Sequence, residues 1–158
     1  EMQRSLVGSE MCIRDRITEQ CISMADLRRW AARMEAMPYF CRFSLPEREC
    51  VVVHAGYLEQ FPTAGLTGKY TCAEDFYLRA REDAYLTGGI ENGMIVAGHT
   101  PTLSKDYMMY NGGLVYQHYD PQKNCLYYDI DCGCSYRTVR ANARLACLCA
   151  ETGAIYYL

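Results

Sequence analysis

Two short apolar segments each end in a histidine that is flanked by small residues. Residues 51–56 read Val-Val-Val-His-Ala-Gly and residues 94–101 read Met-Ile-Val-Ala-Gly-His-Thr-Pro, which places His54 and His99 in similar contexts. In α/β sheets, ligands bind outside the carboxyl ends of strands, where loops open a crevice. Because imidazole binds zinc, iron, manganese and related ions, the pair indicates a metal site. A packed or capping histidine is the alternative for either residue taken alone.

The elements that must position these histidines follow from apolar periodicity and turn residues. The pattern is helical from Ile17, with Thr18 as N-cap, and Pro38 ends this helix. A second helix is predicted over residues 73–85, after a loop over 56–69. Strands are predicted over residues 39–43, 50–54, 94–97, 114–119, 125–130, 145–148 and 154–157. The sequence therefore predicts an α/β or α+β unit with a β-rich carboxyl-terminal end.

Composition narrows the class of protein. The 158 residues are 50% hydrophobic and 22% charged, with a net charge of −3, which fits a soluble globular protein. No clustered basic surface suggests nucleic-acid binding. No apolar run approaches the ~20 residues of a membrane span, and no signal peptide is evident. We interpret the ten cysteines as reduced and mostly buried, in a cytoplasmic protein.

The first residues have an unusual sequence. Residues 5–16 read Ser-Leu-Val-Gly-Ser-Glu-Met-Cys-Ile-Arg-Asp-Arg, and the chain starts at Glu1. This string resembles the conceptual translation of a sequencing adapter. We expect residues 1–16 to be an artefact joined near Arg16 to the native chain, which would leave the true N-terminus missing. A genuine leader is the alternative.

The two histidine motifs and their surroundings resemble the calcineurin-like metallophosphoesterases. Their order and spacing are similar to bacterial members related to serine/threonine phosphatases and diadenosine-tetraphosphate phosphatases. Downstream, residues 130–134, Ile-Asp-Cys-Gly-Cys, and 144–148, Arg-Leu-Ala-Cys-Leu, resemble the family's Ile-Asp-x-Gly and closing strands. The resemblance covers residues 17–158 and implies the carboxyl-terminal half of a two-sheet sandwich flanked by helices.

The resemblance also implies a chemistry. The family uses two divalent ions, for which manganese, iron or zinc are the expected metals, to hydrolyse phosphoesters. By position, His54 and His99 would both bind the second ion. Residues 77–83 read Tyr-Leu-Arg-Ala-Arg-Glu-Asp, where the family often has Trp-x-Arg and an acidic residue. Arg81 matches the arginine that binds substrate phosphate, and Arg79 stands in place of the tryptophan. A surface ion pair is the alternative for Arg81.

Other motifs of the family do not occur in this sequence. It contains no Gly-Asp dipeptide and no Gly-Asn-His, so the first metal's ligands, the bridging aspartate and the leaving-group acid are missing. We therefore expect the intact parent to be a phosphatase of phosphoproteins or small phosphoesters, and this chain to be an inactive fragment. A catalytically degenerate binding module of the same fold is the main alternative. The oligomeric state is not predicted.

A cysteine-rich redox or zinc protein is a third hypothesis. Cys132 and Cys134, and Cys147 and Cys149, are each separated by one residue. Residues two apart on a strand lie roughly 6.5–7 Å apart, whereas zinc-bound sulfurs lie within about 4 Å of each other. We therefore interpret these cysteines as packed strand residues. A turn is the expected role for Asp131, and an edge position for His118.

The metal hypothesis makes a geometric prediction. If His54 and His99 bind one ion, their ring nitrogens should lie within about 4–5 Å, because metal–nitrogen bonds are near 2.1 Å. Rings more than about 10 Å apart would exclude a shared site. On one continuous helix, Arg79 and Arg81 would diverge by about 200°. We therefore expect Arg81 to face the histidines and Arg79 to face solvent.

Overall fold

A computed structural model describes residues 22–62 and 69–158 of the chain. The chain divides into two compact units, Glu1–Pro38 and Tyr39–Leu158. In the first unit, helix α1 spans Met24–Glu35. Its N-cap is Ser23, whose hydroxyl accepts a hydrogen bond from the Asp26 N–H at 3.1 Å, and the Asp26 carboxylate accepts one from the Ser23 N–H at 3.2 Å. This reciprocal capping explains where the helix begins. The predicted N-cap Thr18 and the adapter-like residues 1–16 lie outside the described residues. Because Ser23 caps the described helix, this helix begins later than predicted.

The second unit is built on a five-stranded mixed sheet with the strand order β1-β2-β3-β5-β4. The three middle strands, β2, β3 and β5, run parallel, and both outer strands pair antiparallel to their neighbours. The strands are β1 (Phe40–Ser44), β2 (Glu49–Val53), β3 (Gly93–Ala97), β4 (Tyr116–Asp120) and β5 (Cys125–Asp129). Every residue of β3 is buried, as expected for a central strand covered on both faces. The predicted strand ends are correct to within two residues.

One face of this sheet is covered by two short helices, α2 (Ala73–Arg79) and α3 (Asp83–Leu86). The prediction of one helix over 73–85 is wrong, because Ala80 has an extended backbone with ψ 137°. The interruption lets Phe76, Ala80 and Ala84 all approach Gly56, just beyond β2. The Ala55 N–H also donates to the Tyr77 carbonyl at 2.8 Å. Among the described residues, no helix has the length and apolarity needed to cross a membrane.

A separate antiparallel hairpin forms the carboxyl-terminal end of the unit. Strand β6 (Ala146–Leu148) pairs with β7 (Ile155–Tyr157), and a short 3-10 helix spans Cys134–Tyr136. The predicted β-rich end is therefore confirmed, and the described chain is a mixed α+β structure.

Alternation along the parallel strands divides the core into two clusters. In register, Val51 lies beside Ile95, which lies beside Tyr127, and all three pack with the helices. On the opposite face, Cys50, Met94 and Tyr128 belong to a cluster that also contains Ala146 and is contacted by Leu148 and Ile155 of the hairpin. Because successive strand residues point to opposite faces, the sheet needs a cover on each side.

The cysteines are less buried than the sequence predicted. Of the eight in the described residues, Cys50, Cys125 and Cys132 are buried, whereas Cys41, Cys72 and Cys147 are exposed. Strand β1, which carries Cys41, lies at the edge of the sheet, where one side lacks a neighbouring strand. Cys132 and Cys134 also lie beyond β5, in a turn and the 3-10 helix, and not on a strand. Their burial therefore follows their place in the fold, and not their residue type.

Gly56 provides a test of this packing. A Cβ atom at residue 56 would lie 2.7 Å from Phe76 Cε1 and 2.8 Å from Ala80 Cβ, so Gly56→Ala should lower the free energy of unfolding by about 1–3 kcal/mol. Gly98 is the matched control, because a Cβ there would meet its nearest atom at an ordinary 3.6 Å. Gly98→Ala should change stability by less than about 0.5 kcal/mol. Urea unfolding of both variants measures the difference, and equal effects would contradict the packing at Gly56.

Candidate metal centre

The parallel strands bring His54 and His99 together. His54 directly follows β2, and His99 lies two residues beyond the end of β3, its parallel neighbour. The Gly98 N–H donates to the His54 carbonyl at 3.0 Å, which continues the pairing past both strands. The centroids of the two rings are 4.7 Å apart, with 58° between the ring planes. The expected proximity of the rings is thus observed, and metal binding itself stays a prediction.

The surroundings of His99 favour its neutral form. His54 is exposed, whereas His99 is half-buried. Burial lowers the pKa of His99 to about 4, and the nearby charges of His54 and Arg81 act in the same direction. A neutral imidazole keeps the lone pair that a metal ion requires, whereas a protonated ring cannot bind one. Near neutral pH, His99 is therefore in the form that can be a ligand.

The charge of Arg81 acts on this histidine, whereas Arg79 is turned to solvent. The Cζ atom of Arg81 lies 4.5 Å from the centroid of the Tyr107 ring, and the Arg81 charge affects His99. Arg79 instead pairs with Asp75, and 72% of its side chain is exposed. The reason differs from the predicted one. Helix α2 ends at Arg79, so helical phase does not separate the two arginines, and the extended Ala80 redirects the chain between them.

A buried carboxyl group at the same end of the sheet was not predicted. Asp129 is the last residue of β5, lies in register with Ala97, and is only 1% exposed. Burial raises its pKa to about 7, although a hydrogen bond from the Asp131 N–H to Oδ1, at 2.9 Å, opposes this effect. The sequence does contain a pattern that could have indicated Asp129. Residues 125–129, Cys-Leu-Tyr-Tyr-Asp, form a third apolar segment that ends in a polar side chain.

Asp131 has the turn role that the sequence predicts. Its Oδ1 accepts a hydrogen bond from the Gly133 N–H at 3.0 Å, and Gly133 has a left-handed backbone with φ 75°. Its main-chain oxygen accepts hydrogen bonds from the Thr102 N–H and hydroxyl, at 2.9 and 3.2 Å. Burial raises the pKa of Asp131, while the Gly133 amide and the charge of His54 lower it. Asp131 therefore shapes the turn and also lies within electrostatic range of His54.

Tyr107 is also one of the residues that line a cleft of about 540 Å³. Its walls include three tyrosines and two basic residues, namely Tyr107, Tyr110, Tyr136, Lys105 and Arg140. Neither histidine lines it. Tyr107 is the residue that the cleft shares with the surroundings of Arg81, so the cleft adjoins the candidate site without containing it.

The described residues bring only two candidate ligands, His54 and His99, together at this site. Within residues 22–62 and 69–158, no group of three His, Cys, Asp or Glu side chains is arranged to hold a metal ion. Comparison with protein-family models, curated proteins and solved structures found no match to this chain. Any functional assignment must therefore be argued from the residues themselves.

The lowered pKa of His99 predicts an acid-dependent loss of stability in the metal-free protein. In the unfolded chain His99 should titrate near 6.5, so as the pH falls the unfolded state binds the proton first. Stability should therefore be lost as the pH falls from about 6.5 to about 4, by about 1–3 kcal/mol. The His99→Asn variant should not show this part of the acid-dependent loss of stability. Urea unfolding at pH 7 and pH 4.5 measures it, since the other titrating groups are common to both proteins. Equal acid losses in both would contradict the assigned pKa.

Proposed function

We propose that this chain belongs to a metal-dependent phosphoesterase of the calcineurin-like type, in which His54 and His99 bind one divalent ion and Arg81 binds the substrate phosphate. The observation that carries the proposal is the 4.7 Å separation of two imidazoles at the ends of neighbouring parallel strands. Arg81 supports it, because this half-buried residue lies close enough for its charge to act on His99. The resemblance of the two histidine motifs to that family gives the reaction type.

The side chains have properties that suit these roles. His99 is held neutral and His54 is open to solvent, so the pair could accept an ion of the zinc, iron or manganese type. A bound pair of such ions would supply Lewis-acid stabilisation of the attacking and leaving oxygens. The guanidinium of Arg81 offers paired N–H donors in a fixed plane, which suits a phosphate group. Its contact with the Tyr107 ring restricts the orientation of that plane.

Several finer features belong to the same proposal. The five-stranded sheet would be one layer of the family's two-sheet sandwich, and residues 17–158 would form the carboxyl-terminal half of that domain. The remaining ligands, including a second ion's and the bridging carboxylate, would come from segments that this sequence does not contain. The substrate would be a phosphoprotein or a small phosphoester, handled in the cytoplasm.

The alternative is a catalytically degenerate binding module of the same fold. It is favoured by the absence of a three-residue ligand set from the described residues. The two proposals differ in what they require of the histidines. An enzyme needs both imidazoles to bind an ion, whereas a module requires only that they do not disrupt the fold.

Cobalt binding tests the proposed ligands directly. Co²⁺ added to the purified chain should form a complex with a changed visible absorption spectrum, because imidazole nitrogens replace water ligands. His54→Ala or His99→Ala should weaken binding at least about tenfold, which corresponds to about 1.4 kcal/mol. His118→Ala is the matched control and should bind like the unsubstituted chain, since His118 lies on β4, in contact with Tyr85 and away from the pair. Equal binding by all four proteins would contradict the site.

Phosphatase activity separates the enzyme from the module. With Mn²⁺ and a chromogenic phosphate ester, this chain should show no turnover, whereas a version extended with its native upstream sequence should hydrolyse the ester. In the extended protein His99→Ala should abolish activity, and Arg81→Gln should reduce it by about 10²-fold while Arg79→Gln leaves it unchanged. Turnover by the present chain that depends on His99 would show that no further ligands are needed. An inactive extended protein that carries all the ligands would favour the module.

A further inference from the structure

Three buried polar atoms in the second unit have no hydrogen-bond partner among the described residues. They are Nη1 of Arg81, Oγ1 of Thr100 and Oδ2 of Asp129. Thr100 is 0% exposed and Asp129 is 1% exposed, so water in the bulk does not reach them. An unsatisfied buried polar atom costs about 1–3 kcal/mol, and native proteins contain few of them. Pairing these three atoms with one another would remove that cost.

The three side chains belong to the same end of the sheet. Thr100 follows His99 beyond β3, and Asp129 ends the adjacent strand β5, with Ala97 in register beside it. The backbone amide of Thr100 lies close enough to the Asp129 carboxyl group to lower its pKa, and so does the charge of Arg81. The charge of Arg81, which lies at the interruption between α2 and α3, therefore acts on both His99 and Asp129.

The carboxylates around Arg81 differ in whether they already have partners. No salt bridge in the described residues involves Arg81, although its Nη1 is buried. The other nearby carboxylates already have partners in the structure. These pairs are Glu82 with the Met108 N–H, Asp83 with Lys69 and Tyr70, Asp106 with Ser104, and Asp131 with the Gly133 N–H. Asp129 is the carboxylate near Arg81 that retains a buried oxygen without a partner.

We propose that Asp129 is a positioning residue for Arg81 and acts through the hydroxyl group of Thr100. In this relay the Arg81 Nη1–H donates to Thr100 Oγ1, and the Thr100 hydroxyl donates to Asp129 Oδ2. In the relay Arg81 Nη1 and Asp129 Oδ2 each gain one hydrogen bond, and Thr100 Oγ1 gains two, one as acceptor and one as donor, all of the correct polarity. The guanidinium is then fixed between the Tyr107 ring and the Thr100 hydroxyl, next to His99.

The positioning role rests on the proposed binding of phosphate by Arg81, but the relay itself does not. The relay predicts that the effects of substitutions at Arg81, Thr100 and Asp129 on the free energy of unfolding are coupled. In urea unfolding, the combined Arg81→Gln and Asp129→Asn variant should deviate by about fivefold or more from the product of the two single effects on the unfolding constant. Thr100→Val combined with Asp129→Asn should deviate similarly. Arg79→Gln combined with Asp129→Asn is the matched control and should be multiplicative, since Arg79 is exposed and pairs with Asp75.

A spectroscopic measurement distinguishes positioning from a general structural role. In nitrogen-15 spectra, Asp129→Asn and Thr100→Val should each shift or broaden the Nε–H signal of Arg81. Asp131→Asn should leave that signal in place, because Asp131 is paired with the Gly133 amide. The ring signals of His54 and His99 report whether the fold at the site is retained. An Arg81 signal that is unchanged in Asp129→Asn, or multiplicative effects in both cycles, would overturn the relay.

A measurement on the unsubstituted chain covers the case in which a variant does not fold. A high-resolution crystal structure should show Thr100 Oγ1 within hydrogen-bond distance of both Arg81 Nη1 and Asp129 Oδ2. A guanidinium turned into solvent, or an Asp129 oxygen paired elsewhere, would overturn the proposal. Cobalt binding keeps the two proposals apart. If the unsubstituted chain forms no cobalt complex, the proposed metal site is wrong. The relay is then still tested by the energetic coupling measured in urea unfolding.

Discussion

The parallel pairing of β2, β3 and β5 is the constraint on which the candidate site depends. Parallel neighbours end at the same edge of a sheet, so residues far apart in sequence meet where the strands stop. The pairing also continues beyond the strands, because the Gly98 N–H bonds to the His54 carbonyl and the Ile130 N–H to the Ala97 carbonyl, at 3.0 and 2.8 Å. These two hydrogen bonds hold the backbone segments that carry His54, His99 and Asp129.

Burial at this edge shifts the pKa values of His99 and Asp129 in opposite directions. It lowers the pKa of His99 to about 4 and raises the pKa of Asp129 to about 7, because in both cases it disfavours the charged form. Arg81 keeps its charge in the same surroundings and adds to the effect on His99 while opposing it on Asp129. A cluster of shifted groups around one crevice is typical of functional sites, although ionic networks with a structural role also produce it.

The sequence predicted the features that depend on local pattern and missed those that depend on long-range packing. His54 and His99 could be paired from their similar flanking residues, and strand ends were placed to within two residues. The interruption at Ala80 could not be foreseen, because alanine is a strong helix former and the cause is packing around Gly56. Asp129 was missed because its burial requires β5, and not β4, to lie beside β3.

The geometry also limits what the described residues can do alone. Zinc and related ions take at least four ligands, so two imidazoles leave half of a tetrahedral shell to be filled. His54 is exposed and His99 is half-buried, so the pair is open to solvent on the side of His54. Metal binding by this pair is a proposal, and under it further ligands would approach from the exposed side, as water, as substrate oxygens or as side chains of another segment.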